Sequence, residues 1–246
     1  MKRFALLFLA LALGLILFCG PRADKTPDPE AAPGGGLSAM EGSESVNAGT
    51  PEVEMQQVPE GYEQLLKSYD GRYTKAGWNH YGPGYFELDP SSGILTSHGG
   101  MGLLWYSVKE FSDFVLELDF RCSDVTTNSG VFVRVPGVPT SDDYIYHSFE
   151  IQIDDSEEGI HHTGAAYDAE GPTHSASKAP GEWNHYKITF VGNRLEVELN
   201  GEQVLDWEAE PRGKVLDFAP RGYIGLQNHD DLSPAYFRNV YLKELG

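Results

Sequence analysis

The 246-residue chain is 40% hydrophobic and 12% aromatic, enough for one sizeable core. Its 37 Asp and Glu outnumber 18 Lys and Arg, giving a formal net charge of −19, and no basic stripe is present, which argues against nucleic acid or an anionic membrane surface as a partner. Of two cysteines only Cys122 lies in the body of the chain, so no internal disulfide can form there and stability must come from the core.

At the start, Lys2 and Arg3 precede an unbroken apolar run from Phe4 to Phe18. The run is shorter than the roughly 20 residues a membrane-spanning helix needs and has the shape of a secretory signal over residues 1–18. Cys19 follows where a bacterial lipoprotein signal places its lipidated cysteine, although Phe18 is larger than the residue usual before it. The expectation is an exported lipoprotein of the bacterial cell envelope, periplasmic or outer-membrane, that meets a membrane only through a lipid on Cys19; a free secreted form is the alternative. Residues 19–58 are rich in Pro, Gly, Ala, Ser and Glu and read as a flexible tether, with the folded domain over 59–246.

From Gly61 onward the apolar residues recur mostly with a period of two. FVLELDFR (114–121) sets Phe114, Leu116, Leu118 and Phe120 against Glu117 and Asp119, and VFVRV (131–135) sets Val131, Val133 and Val135 against Phe132 and Arg134. FEIQIDD (149–155) places Ile151 and Ile153 opposite Glu150, Gln152 and Asp154. YKITF (186–190) and RLEVEL (194–199) continue the pattern, and Asn200-Gly201 predicts a two-residue hairpin turn with positive φ at both positions before QVLDW (203–207). YIGLQ (223–227) and AYFRNVYLKEL (235–245) complete the set. With no long amphipathic helix and no internal repeat, the pattern predicts an all-β antiparallel β-sandwich of jelly-roll type.

If Phe114, Val131, Ile151, Ile188 and Ile224 fill the core, the opposite faces carry Glu117, Asp119, Arg134, Glu150, Gln152, Tyr223 and Gln227, with His229 just past a strand end. An ordinary wet sheet face is dressed with Thr, Lys and Ser, whereas planar Arg, Gln and Glu beside His and aromatic rings recognise sugar hydroxyls and ring faces. Phe132, on the polar side, is either such a ring or a side chain covered by a loop. Other constellations are weaker. A metal site from His161, His162 and His174 needs a loop, because adjacent strand side chains diverge. Asp142-Asp143 and DDSEE (154–158) lack an EF-hand order, and SHGGMG (97–102) is followed by no helix and reads as a turn. No cofactor is expected, a divalent metal being the alternative.

NSGVFVR (128–134), FEIQIDD, TGAAYD (163–168), KAPGEWNHYKI (178–188), LNGEQV (199–204) and GYIGLQNHDD followed by YFRNVYLKEL resemble, in order over 60–245, the 3-keto-disaccharide hydrolase domain family. The resemblance implies a concanavalin A-like, LamG-like jelly roll whose concave sheet holds a carbohydrate substrate. Some members cleave glycosides already oxidised at C3 of the sugar, which implies functional coupling to a sugar 3-oxidoreductase.

A ketone at C3 acidifies the hydrogen on C2. A base removes that hydrogen, an enolate forms, the C1 substituent leaves and water adds, so such a site must supply a base, an enolate stabiliser and an acid. Carried onto this chain, the resemblance implies Glu150, His229, Tyr167 and Lys178 as catalytic candidates and Arg134, Gln152, Asp155, Phe132 and Gln227 as substrate contacts. Glu150 or His229 would be the base, Arg134 and Lys178 would face the oxyanion, and Tyr167 would donate a proton or touch the sugar. Asp154 departs from the family pattern, standing where an apolar residue is usual. Two rivals use the same face. One is a non-catalytic carbohydrate-binding module. The other is a retaining glycosidase, opposed by the non-titrating Gln152 and by about 13 Å between the Cα atoms of Glu150 and Asp154 on an extended strand, where such a pair wants carboxyls about 5 to 5.5 Å apart.

Overall fold

The computed structural model describes residues 57–229 and 231–246. The expected signal, Cys19 and all but the end of the expected tether lie outside the described residues. Six short strands come first: β1 (Glu63–Gln64), β2 (Ser68–Tyr69), β3 (Arg72–Tyr73), β4 (Trp78–Tyr81), β5 (Tyr85–Leu88) and β6 (Leu95–His98). The longer β7 (Gly102–Phe111), β8 (Phe114–Cys122), β9 (Ser129–Val135), β10 (Phe149–Ile153) and β11 (Asn184–Val191) follow, and β12 (Arg194–Leu199), β13 (Glu202–Glu208), β14 (Gly222–Asn228) and β15 (Ala235–Glu244) end the chain. Short 3-10 segments occupy Asp142–Tyr146 and Gly159–His161.

Two antiparallel sheets stack. The larger is ordered β13-β12-β11-β8-β15-β6-β5, with β1 added to β15; the smaller is ordered β10-β9-β14-β7-β4. Period two explains the stacking: Phe114, Leu116, Leu118 and Phe120 of β8 and Tyr186, Ile188 and Phe190 of β11 belong to the same buried cluster as Val131, Ile151, Ile224 and Leu226 of the smaller sheet. Phe149 lies 5.1 Å from Phe190 and Phe120 lies 4.6 Å from Tyr186, ring centre to ring centre. Burying each such ring is worth on the order of 2 to 3 kcal/mol. The Tyr186 hydroxyl also donates to the Gln152 carbonyl at 2.6 Å, a buried polar bond between the sheets.

This is the jelly-roll sandwich the alternation predicts, and the hairpin turn has φ 55° at Asn200 and 85° at Gly201. The pattern overlooks β7. Its start, GLLWY, is buried on both faces, so it shows no polar alternation although it lies between β14 and β4.

Two placements differ from the expected polar face. Glu117 and Asp119 point outward from the larger sheet, where β8 lies between β11 and β15, and so stand apart from Glu150. Arg134 turns the other way. Phe132 pairs with Gly225 and Val135 with Tyr223, so Val133 and Arg134 together oppose Ile224 in a bulge. Arg134 has φ 58°, and its guanidinium stacks 3.6 Å from the centre of the Phe190 ring, 1% exposed, with one N–H donating to the Ser112 carbonyl at 3.1 Å. Burial lowers its pKa, and Asp113, 3.7 Å away, pulls it back up. The arginine expected among the sugar contacts is a core residue.

On the outer face of the larger sheet, Asp119 accepts from Asn239 Nδ2 at 2.7 Å and Arg238 Nε at 3.1 Å and meets His185 Nδ1 at 2.9 Å. Burial pushes the Asp119 carboxyl up, but the hydrogen bonds from His185 and Asn239 outweigh it. The bond to Asp119 raises the His185 pKa against the effect of burial. A histidine raised in this way stabilises fully below its unfolded pKa of about 6.5 and loses that contribution as pH rises through the folded value. We therefore expect the parent protein to lose stability, relative to His185→Gln, as pH is raised above about 6 in urea unfolding. Parallel pH profiles for the two proteins would show that the ion pair contributes nothing.

Candidate functional site

Strand register builds the far face of the smaller sheet in two rows. Gln152 pairs with Gly130 and Gln227 with Leu103; in the next row Glu150 pairs with Phe132, Phe132 with Gly225 and Gly225 with Trp105. Period two then turns Glu150, Gln152, Phe132, Gln227 and Trp105 to the same side, away from the main core. Leu103, Trp105, Phe132 and Val135 form a second buried cluster there with Tyr144, which arrives from the 3-10 segment. Tyr144 stands edge-on to Phe132 at 5.1 Å, so Phe132 is covered and is not an open ring platform; Trp105 meets Tyr223 at 4.9 Å.

Glu150 is the electrostatic centre of this face. It is 7% exposed, and burial pushes its carboxyl up to about 8, with Lys214 and a hydrogen bond from Gln227 drawing it partly back. Gly130 makes the position possible: a Cβ there would run into Oε1 and Cγ of Glu150. Around the carboxyl, Oε1 of Gln152, Oε1 of Gln227 and the hydroxyl of Tyr144 are all buried without a hydrogen-bond partner. Buried polar atoms normally find partners, so three orphans on one face mark a place for a ligand or water.

One flank of the site is built by residues 163–168, which run along β10. Gln152 N donates to Ala165 O at 3.0 Å, Gly164 N to Gln152 O at 3.0 Å and Tyr167 N to Glu150 O at 2.9 Å. Tyr167 therefore stands beside Glu150 along the chain's return past β10. Its hydroxyl accepts from Lys214 Nζ at 3.2 Å, and its ring lies 5.0 Å from that of His161, whose Nε2 is 3.1 Å from Asp168 Oδ1.

The remaining candidates divide. His229 follows β14, two residues beyond Gln227. Lys178 is tied instead to the start of β11: its N–H donates to Asn184 Oδ1 at 2.8 Å and its ammonium to the Trp183 carbonyl at 3.0 Å. Asp155 lies past the end of β10, accepts from Ser177 Oγ at 2.7 Å and borders a separate surface cavity of about 410 Å³ with Glu158, His162 and His174. Asp154 has a structural explanation: buried, it accepts from both the N–H and the hydroxyl of Ser156 at 2.9 and 2.6 Å and closes the turn that sends the chain back along β10. Among the described residues no three His, Cys, Asp or Glu side chains converge in a metal-holding group.

Three members of the face escaped the sequence. Trp105 sits in β7, the strand without visible alternation. Tyr144, from a 3-10 segment, and Lys214, from a loop, carry no local signal; only the closed fold brings them to Glu150.

A buried acid with a raised folded pKa stabilises below its unfolded value and loses that contribution as pH rises through the folded one. Between about pH 5 and 8 the parent is expected to lose stability relative to Glu150→Gln, and the Glu150 carboxyl carbon should titrate at about 8 in ¹³C spectra. A midpoint in the ordinary carboxylate range would mean that water reaches the carboxyl freely.

Three solved structures from Parabacteroides distasonis ATCC 8503, each named "putative glycosyl hydrolase", superpose on this chain. The first is 28% identical with a TM-score of 0.62, covering 75% of this chain and 99% of its own. The second is 22% identical at TM-score 0.64, covering 76% and 95%, and the third 23% identical at 0.54, covering 76% and 84%; these two establish likeness of fold. No curated protein sequence matches the chain. The model of the 3-keto-alpha-glucoside-1,2-lyase-like domain matches residues 62–243, from just before β1 to the next-to-last residue of β15, and the chain belongs to that family.

Proposed function

We propose that the domain cleaves the glycosidic bond of 3-keto-glycosides by abstracting the C2 proton, eliminating the C1 substituent and adding water. The observation that carries this is Glu150, a carboxyl held at about 8 in a buried site. A base of that strength is matched to a carbon acid next to a ketone near neutral pH, and its desolvated carboxylate is a better proton acceptor than one in water. The free oxygens of Gln152 and Gln227 would accept sugar hydroxyls, and Trp105 and Tyr223 supply apolar surface beside them. Tyr167, on the flank of Glu150, and His229, beyond β14, would be the groups that return a proton to the leaving oxygen. Family membership supports a carbohydrate ligand, as does the likeness to the Parabacteroides structures. The substrate would be prepared by a sugar 3-oxidoreductase, and the signal-like residues 1–18 with Cys19 would put the reaction in the cell envelope.

The test is to incubate the purified protein with a 3-keto-glucoside and with the corresponding plain glucoside. Aglycone should be released from the keto substrate alone, and Glu150→Gln should lower kcat by roughly 10² to 10⁴. The rate should rise with pH and level off once the carboxyl is ionised. Release from the plain glucoside at a similar rate would sink the proposal. Saturable binding with release from neither would assign the same face to carbohydrate recognition alone.

A further inference from the structure

We propose that Lys214 is a further catalytic residue, its ammonium receiving the negative charge that develops on the ketone oxygen; this rests on the keto-glycoside reading above. Arg134 and Lys178, the cations expected for that task, are engaged elsewhere. Lys214 is the cation whose charge acts on Glu150.

Its placement is fixed by the backbone. Arg212 N donates to Val215 O and Val215 N to Arg212 O, both at 2.9 Å, so Gly213 and Lys214 form the tip of a closed two-residue turn. Gly213 has φ 57°, and a Cβ on it would collide with the carbonyl of Asp168, so only glycine lets the turn lie against the segment that carries Tyr167. Val215 is buried, Leu216 N donates to Tyr146 O at 2.9 Å, and the Arg212 guanidinium pairs with Glu170 and Glu210. A side chain on such a braced turn can present a charge without being reordered at each turnover.

The ammonium is also not bound to a carboxylate. Lys67, Lys109 and Lys187 are ion-paired to glutamates, whereas among the described residues Lys214 has no carboxylate ion pair. Its Nζ lies 3.2 Å from the Tyr167 hydroxyl and 4.5 Å from the ring centre. One of its three N–H donors goes to that hydroxyl, leaving two for a ligand. The Tyr167 hydroxyl, accepting from Lys214, keeps its own proton available to donate.

In the step assigned to this pair, Glu150 takes the C2 proton. The C2–H electron pair becomes the C2–C3 double bond, and the carbonyl π pair moves onto O3, where the Lys214 ammonium hydrogen-bonds it. The O3 pair then returns and re-forms the C3 carbonyl while the C2–C3 π pair becomes the C1–C2 double bond; the C1–O pair leaves with the departing oxygen, which takes a proton, and water later adds across C1–C2. A donor aimed at such a developing charge contributes to the chemical step more than to binding.

The experiment uses the full chain with two probes. One is a 3-keto-glucoside. The other is 1-deoxy-3-keto-glucose, which lacks a leaving group and reports only C2 proton exchange by NMR in D₂O. Lys214→Met should slow both exchange and release by roughly 10² to 10³-fold, with KM changed little and partial recovery in Lys214→Arg. It should also move the Glu150 titration upward, since the lost positive charge is one that draws the carboxyl down. Melting curves by circular dichroism check the fold of each variant, with Lys214→Gln as the replacement should Lys214→Met unfold. Exchange at the parental rate in a folded variant, or an unmoved Glu150 titration, overturns the assignment while leaving the keto-glycoside reading intact. Absence of both exchange and release in the parent overturns that reading and this inference with it.

Discussion

The apolar contact between the two sheets is the constraint from which the site follows. Phe149 against Phe190, with the β8 and β11 rings beside them, fixes which side of β9, β10 and β14 faces inward. Once Ile151 and Ile224 are committed to that core, the pleat leaves Glu150, Gln152 and Gln227 no direction but the opposite one. A register slip of one residue would bury the acid in the main core and expose the isoleucines. The same packing that stabilises the domain thus selects the orientation of its chemistry.

Where the pleat is regular, the sequence was a good guide. Strands from β8 to β15 follow the period of their apolar residues closely, and Glu150, Gln152, Phe132 and Gln227 do come together on one face. Tyr167 is also beside Glu150, although its position depends on a return segment outside any strand. Arg134 shows how the guide fails. A bulge with positive φ inserts one residue into the alternation, and nothing in the letters VFVRV announces it. β7 fails for another reason, since a strand buried on both faces has no period to detect. Lys178 and Lys214 illustrate a third limit. Both are loop lysines, and which one reaches the acid is decided by long-range closure.

The charge distribution sharpens the contrast between surface and site. On a chain of net charge −19, several of the described cations are spent in exposed pairs such as Arg194–Asp206 and Lys187–Glu198. Pairs of that kind contribute little to stability in water. Glu150 has traded its solvent for a buried setting in which a single nearby cation and one glutamine amide matter a great deal. Low dielectric is the source of both its basicity and its sensitivity to neighbours.

β10 lies at the end of the smaller sheet, and an end strand offers its unpaired backbone to any passing chain. Residues 163–168 occupy that backbone, and the Asp154 turn is what delivers them there. The stretch that holds Tyr167 beside the acid is therefore also a guard against intermolecular strand addition. Damage to it would open the sheet edge and displace Tyr167 from the candidate face in one event, so that disruption of that face and a tendency to aggregate would be inherited together.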